Sequence, residues 1–191
     1  MKPFRRFAWQ FSQAPLLTGR NVANRSGVAA IEFAILAPIL LLIYIGNIEL
    51  TLALTCDQKL KHATSVVGDL ISQSSTLTSD DVLQIFTAAN AVLQPYSPNP
   101  LKLRVSVLSP KPDGQSKVMW SVGQNMDRRS PGSIYQTPPN LWTDEQKSLV
   151  VTETLYDYEP VTSDIFEKSV ELSKVTYSRP RGMWTITCTD C

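Results

Sequence analysis

The feature that most constrains this chain is a long apolar segment near its N-terminus. It occupies residues 28–54, and the part from Phe33 to Ile45 carries no charge. A helix needs about 20 apolar residues to cross a bilayer, so the segment is long enough. A core helix of a soluble domain would normally have a polar face, and a removable secretory signal would normally be shorter and end at a small-residue cleavage site. We therefore predict one transmembrane helix over residues 28–54.

The charges around this segment predict its orientation. Residues 1–27 contain five basic residues and no acidic one, whereas all 17 acidic residues lie further along the chain. Positive charge is retained in the cytoplasm. We expect residues 1–27 to form a basic cytoplasmic leader and residues 55–191 to form a periplasmic head on an inner-membrane anchor. The formal net charge of +1 argues against a nucleic-acid partner.

One carboxylate interrupts the start of the apolar segment. Glu32 stands in the string Arg25-Ser26-Gly27-Val28-Ala29-Ala30-Ile31-Glu32-Phe33. A charge among apolar residues costs a few kcal/mol in a membrane and usually has a partner. A lipid headgroup is one possible partner, if Glu32 lies at the membrane surface. The other possibility follows from what precedes it, a glycine at the junction of the basic and apolar segments.

This arrangement resembles the prepilin processing site of the Flp/Tad class of type IV pilins. The continuation AAIEFAILAPILLLIYIGNIEL resembles TadE-type minor pilins, also called pseudopilins, and the later string TLYDYEP with the turn Arg179-Pro180-Arg181 is similar to the C-terminal half of such proteins. The resemblance implies cleavage after Gly27 by a prepilin peptidase, which makes Val28 the new N-terminus, Glu32 its fifth residue and Phe33 its sixth. It also implies that Glu32 recruits the terminal amine of a neighbouring subunit during assembly.

The chemistry of the junction agrees with that implication. Glycine lets an extended backbone approach the carboxylates of a protease closely. Cleavage creates an α-amino group with an ordinary pKa of about 8, one helical turn from Glu32. Within one helix or between subunits, an ammonium and a carboxylate would offset each other's burial cost.

The rest of the pattern predicts an α+β fold, a long helix on a small antiparallel sheet as in pilins. Apolar residues recur on one stripe after the span, which extends the helix from about 28 to 73: Leu52, Cys56, Leu60, Ala63, Val67 and Leu70. Thr78 should start a second helix that ends near Gln94. Period-two alternation predicts strands over 101–107 and 118–122 as a hairpin, then 148–158, 170–177 and 183–188. Residues 124–147 are predicted to be a loop with a helical turn near 143–147.

Three cysteines leave the disulfide pairing open. We favour Cys188–Cys191, because paired cysteines outside the cytoplasm usually form structural disulfides. Pairing of Cys56 with Cys188 or Cys191 is the alternative, and sequence alone does not choose between them. A redox site is disfavoured because such motifs usually open a helix. A zinc site needs more ligands, and His62 is the only histidine.

Together these features predict a non-enzymatic protein without a cofactor or bound metal. A single histidine excludes most acid–base machinery, and Asp80-Asp81 are expected to cap a helix. The preferred function is a minor pilin that acts in pilus assembly, adhesion and biofilm formation, with lipid, prepilin peptidase, other Tad pilins and assembly-platform proteins as partners. It is expected in the inner membrane, with incorporation into the extracellular pilus as the further possibility. The alternatives are an uncleaved accessory protein of the same apparatus, an unrelated single-span protein whose head binds an envelope partner, and an envelope thiol oxidoreductase.

Overall fold

The computed structural model describes residues 26–110, 115–139, 141–142, 148–162, 169–181 and 185–191. The chain divides into two compact units, Met1–Ile43 and Tyr44–Cys191. Helix α1 spans Ser26–Gln73 and continues through Pro38 without a break. The long apolar N-terminal helix predicted from the sequence is therefore confirmed.

The second unit contains an antiparallel five-stranded sheet, which confirms the predicted α+β class. The elements after α1 are β1 Thr76–Leu77, α2 Ser79–Leu93, β2 Leu101–Pro110, β3 Ser116–Gln124, β4 Ile134–Tyr135, β5 Leu149–Tyr158, β6 Val170–Ser178 and β7 Thr187–Cys188. The strand order in the five-stranded sheet is β4-β3-β2-β5-β6, and a separate two-stranded pair joins β1 to β7 in parallel.

Helix α2 begins where its sequence signal places it. The side chain of Thr78 accepts a hydrogen bond from the backbone N–H of Asp81, and the Asp81 carboxylate accepts one from the backbone N–H of Thr78. This capping box satisfies two donors that an uncapped helix would leave exposed. The bond from the Thr78 backbone is also the main reason why the pKa of Asp81 lies below its ordinary value. Phe86 and Leu93, on the side of α2 that packs in the core, are fully buried.

The main core lies between the two helices and one face of the sheet. Thr64 on α1 shares a buried 2.8 Å hydrogen bond with Thr154 on β5, so helix and strand are in direct contact. The apolar stripe of α1 supplies Cys56, Leu60, Ala63 and Val67 to this core as predicted, but its last buried member is Ile71, and Leu70 is partly exposed. The stripe continues from Val67 to Ile71 by a step of four residues, like most of its earlier steps, because 3.6 residues per turn require a mixture of steps of three and four.

The opposite face of the sheet is covered along part of its length. Leu108, Val118, Tyr135, Leu149 and Val151 form a second buried cluster there, with Leu141 and Trp142 packed against it. The alternation of apolar and polar residues over 101–107 predicts one wet face for this strand, but Ser106 on that face is buried. Residues 124–139 and 141–142 supply the cover, and they contain strand β4 where the sequence predicted a loop. The helical turn predicted near 143–147 lies outside the described residues.

A charged network fastens this covering segment to the sheet. The carboxylate of Glu153 on β5 accepts hydrogen bonds from Arg104 at 2.7 Å and from Arg129 at 2.8 and 3.2 Å. Arg129 also stacks over the ring of Tyr135, 4.7 Å from its centroid. Burial by itself would raise the pKa of Glu153, but hydrogen bonds from the two guanidinium groups outweigh it and lower that pKa.

Replacing Glu153 by glutamine is expected to make the head less stable and less sensitive to acid. A carboxylate whose folded-state pKa is depressed stabilises the fold above its unfolded-state pKa of about 4.3 and loses that contribution as the pH falls through the lower value. We expect a loss of about 2 kcal/mol at pH 7 that shrinks as the pH falls below the unfolded-state pKa and through the lower pKa of the folded state. Urea unfolding of the full chain in micelles across this range measures both quantities.

Asp69→Asn serves as the matched control, because the Asp69–Arg181 ion pair is largely exposed. Exposed pairs contribute about 0–1 kcal/mol. An equal loss for both variants, or a loss for Glu153→Gln that does not depend on pH, would contradict a stabilising role of the ionised Glu153 carboxylate.

The chain end departs from the predicted fold. Residues 183–188 were expected to form another strand. Of the described residues 185–188, only Thr187–Cys188 is a strand, and it pairs in parallel with Thr76–Leu77. Ile186 is fully buried just before it, and its carbonyl accepts a 2.9 Å hydrogen bond from the indole N–H of Trp120. Residues 182–184 lie outside the described residues. Ile186 therefore fills the core and does not extend the sheet.

Candidate functional site

The first half of α1 exposes an apolar surface. The large apolar side chains between Val28 and Ile43 are each between 48% and 69% exposed. Among the described residues, one helix is long and apolar enough to cross a membrane, over 27–73; its most apolar window has a mean hydropathy of 2.5 and no buried residue. Such a continuous apolar surface requires lipid or the helices of neighbouring subunits to cover it.

Glu32 is the one acidic or basic residue between Gly27 and Ile48. It lies four residues after Val28 on the same face of the helix, and the described residues give it no hydrogen bond or ion pair. Phe33 beside it is 69% exposed. The Glu32 carboxylate therefore lies within an otherwise apolar helical surface.

Gly27 lies in the first turn of α1, and so does the Gly27–Val28 bond. A methyl group added at Gly27 would meet no atom within 4 Å. Packing among the described residues therefore does not require a glycine there, and the space around it is open to another molecule. The extended conformation that a protease would bind requires this first turn to unwind. Terminal turns lack part of their hydrogen bonding and open at low cost.

A second carboxylate, Glu49, has partners of its own. Its two oxygens accept hydrogen bonds from the backbone N–H groups of Thr162 at 2.7 Å and Val161 at 3.3 Å, in the segment that follows β5. In the sequence, Glu49 is a polar interruption of the apolar segment, near Gly46 and Asn47. Its partners are backbone groups more than 100 residues away, so no local pattern could reveal them.

The C-terminal cysteines are joined in the structure. Cys188 and Cys191 form a disulfide with their Cα atoms 5.7 Å apart, and Cys56 is free and buried. Between the two, the Asp190 carboxylate accepts a 2.7 Å hydrogen bond from the backbone N–H of Ser79, the first residue of α2. The disulfide therefore closes a short ring whose carboxylate contacts the positive end of a helix.

Neither the cysteines nor the nearby acid form an evident reactive centre. Burial, followed by the charge of Asp57, raises the pKa of the Cys56 thiol to about 11, so this thiol is neutral at physiological pH. Cys188, Asp190 and Cys191 could bring one ligand atom each within 4.8 Å of the others. Both sulfur atoms are bonded in the disulfide, so this group offers a metal ion a single ligand, the Asp190 carboxylate.

Comparison with known proteins gives a match over the part of the chain that contains Gly27 and Glu32. The family described as TadE-like protein matches residues 27–68. This segment is TadE-like. The matched region begins at Gly27 and includes Val28, Glu32 and Phe33. No curated protein and no solved structure gave a match to the chain.

The family that matches residues 27–68 is a component of the Tad pilus apparatus and not an enzyme family. Together with the one membrane-length apolar helix among the described residues, the match indicates a single-pass membrane protein. The matched region contains the exposed apolar half of α1 and its continuation into the head.

Proposed function

We propose that this chain is a minor pilin, or pseudopilin, of a Tad pilus. A prepilin peptidase removes the basic leader by cutting after Gly27, and the mature chain begins at Val28. The chain is held in the inner membrane with its N-terminus toward the cytoplasm and its head, fastened at the C-terminus by the Cys188–Cys191 disulfide, in the periplasm. Its partners are the peptidase, the assembly platform and other pilins, and its pilus serves adhesion and biofilm formation.

The observation that carries the proposal is Glu32, a carboxylate on an exposed apolar helix within the TadE-like segment. Such a charge needs a partner of opposite sign at the same depth. Cleavage after Gly27 supplies one, because the α-amino group of Val28 is then one helical turn away. Between subunits the same pairing brings two apolar helices into register as they associate.

The N-terminus of the protein purified from membranes tests the processing step. We expect mass spectrometry to find a chain that starts at Val28 in cells that contain a prepilin peptidase and at Met1 in cells that lack it. Gly27→Leu should block the cut, because a branched side chain obstructs the approach of the protease to the backbone.

Gly46→Leu provides the control for that variant. Gly46 lies in the same helix, and a Cβ atom there also meets nothing within 4 Å. It should be cut as efficiently as the wild type. A wild-type chain that keeps Met1 in the presence of the peptidase would favour an uncleaved accessory protein of the same apparatus.

A further inference from the structure

The chain that follows strand β5 returns to the apolar segment of α1. Thr154 within β5 contacts Thr64, and further along the chain Thr162 contacts Glu49. Residue numbers therefore fall along α1 as they rise along β5 and the segment after it. All of these residues belong to the unit Tyr44–Cys191. The segment after β5 consequently meets α1 closer to the N-terminal end of the helix than β5 itself does.

Glu49 lies within the exposed apolar surface of α1. Leu50 and Leu54, at its level and beyond it, are 59% and 54% exposed, and Tyr44 before it is 65% exposed. A helix that enters the membrane at the start of the apolar segment needs about 20 residues to cross the hydrocarbon, so it leaves near Ile48. Tyrosine is enriched at this boundary. Glu49 is therefore level with the lipid headgroups on the side of the head.

The hydrogen bonds of Glu49 bring Val161 to the same level. A carboxylate at this depth needs partners, and the backbone N–H groups of Val161 and Thr162 supply them. The Val161 side chain is 77% exposed, the largest exposed fraction among the large apolar side chains that the structure describes. An uncovered valine is therefore held beside α1, at the height of the headgroups.

We propose that Val161 contacts the bilayer, so that the head touches lipid at a second point beside the spanning helix. The side chain lies among the headgroups and the upper acyl chains, and Glu49 holds it there through the backbone of residues 161–162. Removal of its apolar surface from water favours this contact. The inference rests on α1 spanning the membrane and does not depend on cleavage after Gly27 or on a pilus.

Lipid is the occupant that this position favours. Val161 lies beside an apolar helical surface, including Leu50 and Leu54, which already requires a cover. Glu159, two residues before Val161, is exposed and would be repelled by anionic headgroups. The contact is therefore apolar and made with zwitterionic lipid, and it should not depend on salt, which screens interactions between exposed charges.

The test uses the full chain, one copy per nanodisc of zwitterionic lipid, with a nitroxide on one introduced cysteine. Cys56 is fully buried and the other two cysteines are joined, so the introduced thiol is the accessible one. Val161→Cys carries the label, and Ile134→Cys, at an apolar position 55% exposed on β4, is the control. We expect collisions with a water-soluble nickel complex to be about fivefold rarer at position 161, because lipid excludes the complex.

Loss of the Glu49 carboxylate should release the label at position 161. In Glu49→Ala its collisions with the nickel complex should rise about threefold, because the backbone of residues 161–162 loses both acceptor oxygens. Gln58→Ala, a change at an exposed position on the same helix, should leave the collisions unchanged. Equal collision rates at positions 161 and 134 would overturn the proposal, and unchanged rates in Glu49→Ala would contradict the role given to Glu49.

A label at Leu41→Cys separates failure of this inference from failure of the membrane assignment. Leu41 is 60% exposed on α1, and its label should be shielded from the nickel complex and open to oxygen. If this label is shielded and the one at Val161 is not, the second contact fails and the span stands. If neither is shielded, α1 does not span the bilayer and the proposed function fails with it. Shielding at Val161 that requires two chains per disc would identify a second copy as the occupant and overturn the proposal.

Discussion

Glu32→Ala is expected to reduce incorporation of this chain into pili by more than tenfold while leaving its membrane insertion and cleavage intact. Insertion should improve slightly, because removing a charge from an apolar helix saves a few kcal/mol. Cleavage should continue, because Gly27 and Val28 are unchanged. The measurement is the amount of mature chain in sheared pili relative to that in membranes.

The size of the effect follows from the lost ion pair. Two unit charges 4 Å apart interact by about 4 kcal/mol at an effective dielectric constant of 20. Side-chain ordering and desolvation cancel part of this interaction. A net value near 2 kcal/mol corresponds to a change of about 30-fold in an association constant.

Glu49→Gln is the matched control for this variant. It removes a carboxylate from the same helix, but Glu49 accepts its hydrogen bonds from Val161 and Thr162 within its own chain. Glutamine keeps one acceptor oxygen for these groups. Incorporation of the Glu49→Gln variant into pili should fall by less than threefold. Normal pili from Glu32→Ala, or equal losses from the two variants, would remove the support for an assembly role of Glu32.

These two glutamates differ in how much of their environment the sequence predicts. Glu32 was identified because its signal is local, a carboxylate four residues after Val28 in an apolar string. The capping box at Thr78 and the apolar stripe of α1 are local in the same sense. Their partners lie within one or two helical turns, so periodicity and capping rules apply directly. These features of the fold were therefore predictable.

What could not be predicted depends on partners far apart in the chain. Glu49 binds a backbone segment more than 100 residues away, and the buried carbonyl of Ile186 meets Trp120 across 66 residues. The cover over the second face of the sheet depends on Arg129 meeting Glu153. Each of these residues looked like an ordinary charged or apolar residue, because its environment exists only after the sheet has formed.

Gly123 is the clearest case of such a residue, and it carries the second large prediction. Gly123 follows the predicted strand 118–122 and precedes the predicted loop, so the sequence offered no signal beyond a glycine at a strand end, whereas in the structure it lies within β3. In the structure, a Cβ atom on Gly123 would stand 2.0 Å from the backbone oxygen of Met126. Backbone cannot move aside as the tip of a side chain can, so even alanine should force the segment 126–129 away from the strand.

We expect Gly123→Ala to destabilise the head by about 3 kcal/mol, at the upper end of the usual cost of overpacking. The reason is that the displaced segment carries several attachments. The backbone N–H of Arg129 donates to Ser121 at 3.1 Å, its side chain binds Glu153, and Arg104 donates to the carbonyl of Asp127. A shift large enough to admit a methyl group weakens all three. For a unit of about 150 residues the midpoint of thermal unfolding should fall by about 6–12 °C.

Gly68→Ala is the comparison that separates this cause from a general cost of adding a methyl group to the head. Its Cβ atom would meet the hydroxyls of Ser178 at 2.8 Å and Thr152 at 3.1 Å, and the nearer of these can rotate. Alanine also favours the helix by up to about 1 kcal/mol over glycine, so the net change should stay within about 1 kcal/mol. Because Gly123→Ala displaces Arg129, its effect should not add to that of Glu153→Gln, and the double variant should be more stable than the sum of the single losses implies. Strict additivity, or equal losses at Gly68 and Gly123, would show that the close approach of Met126 does not govern the fold of this segment.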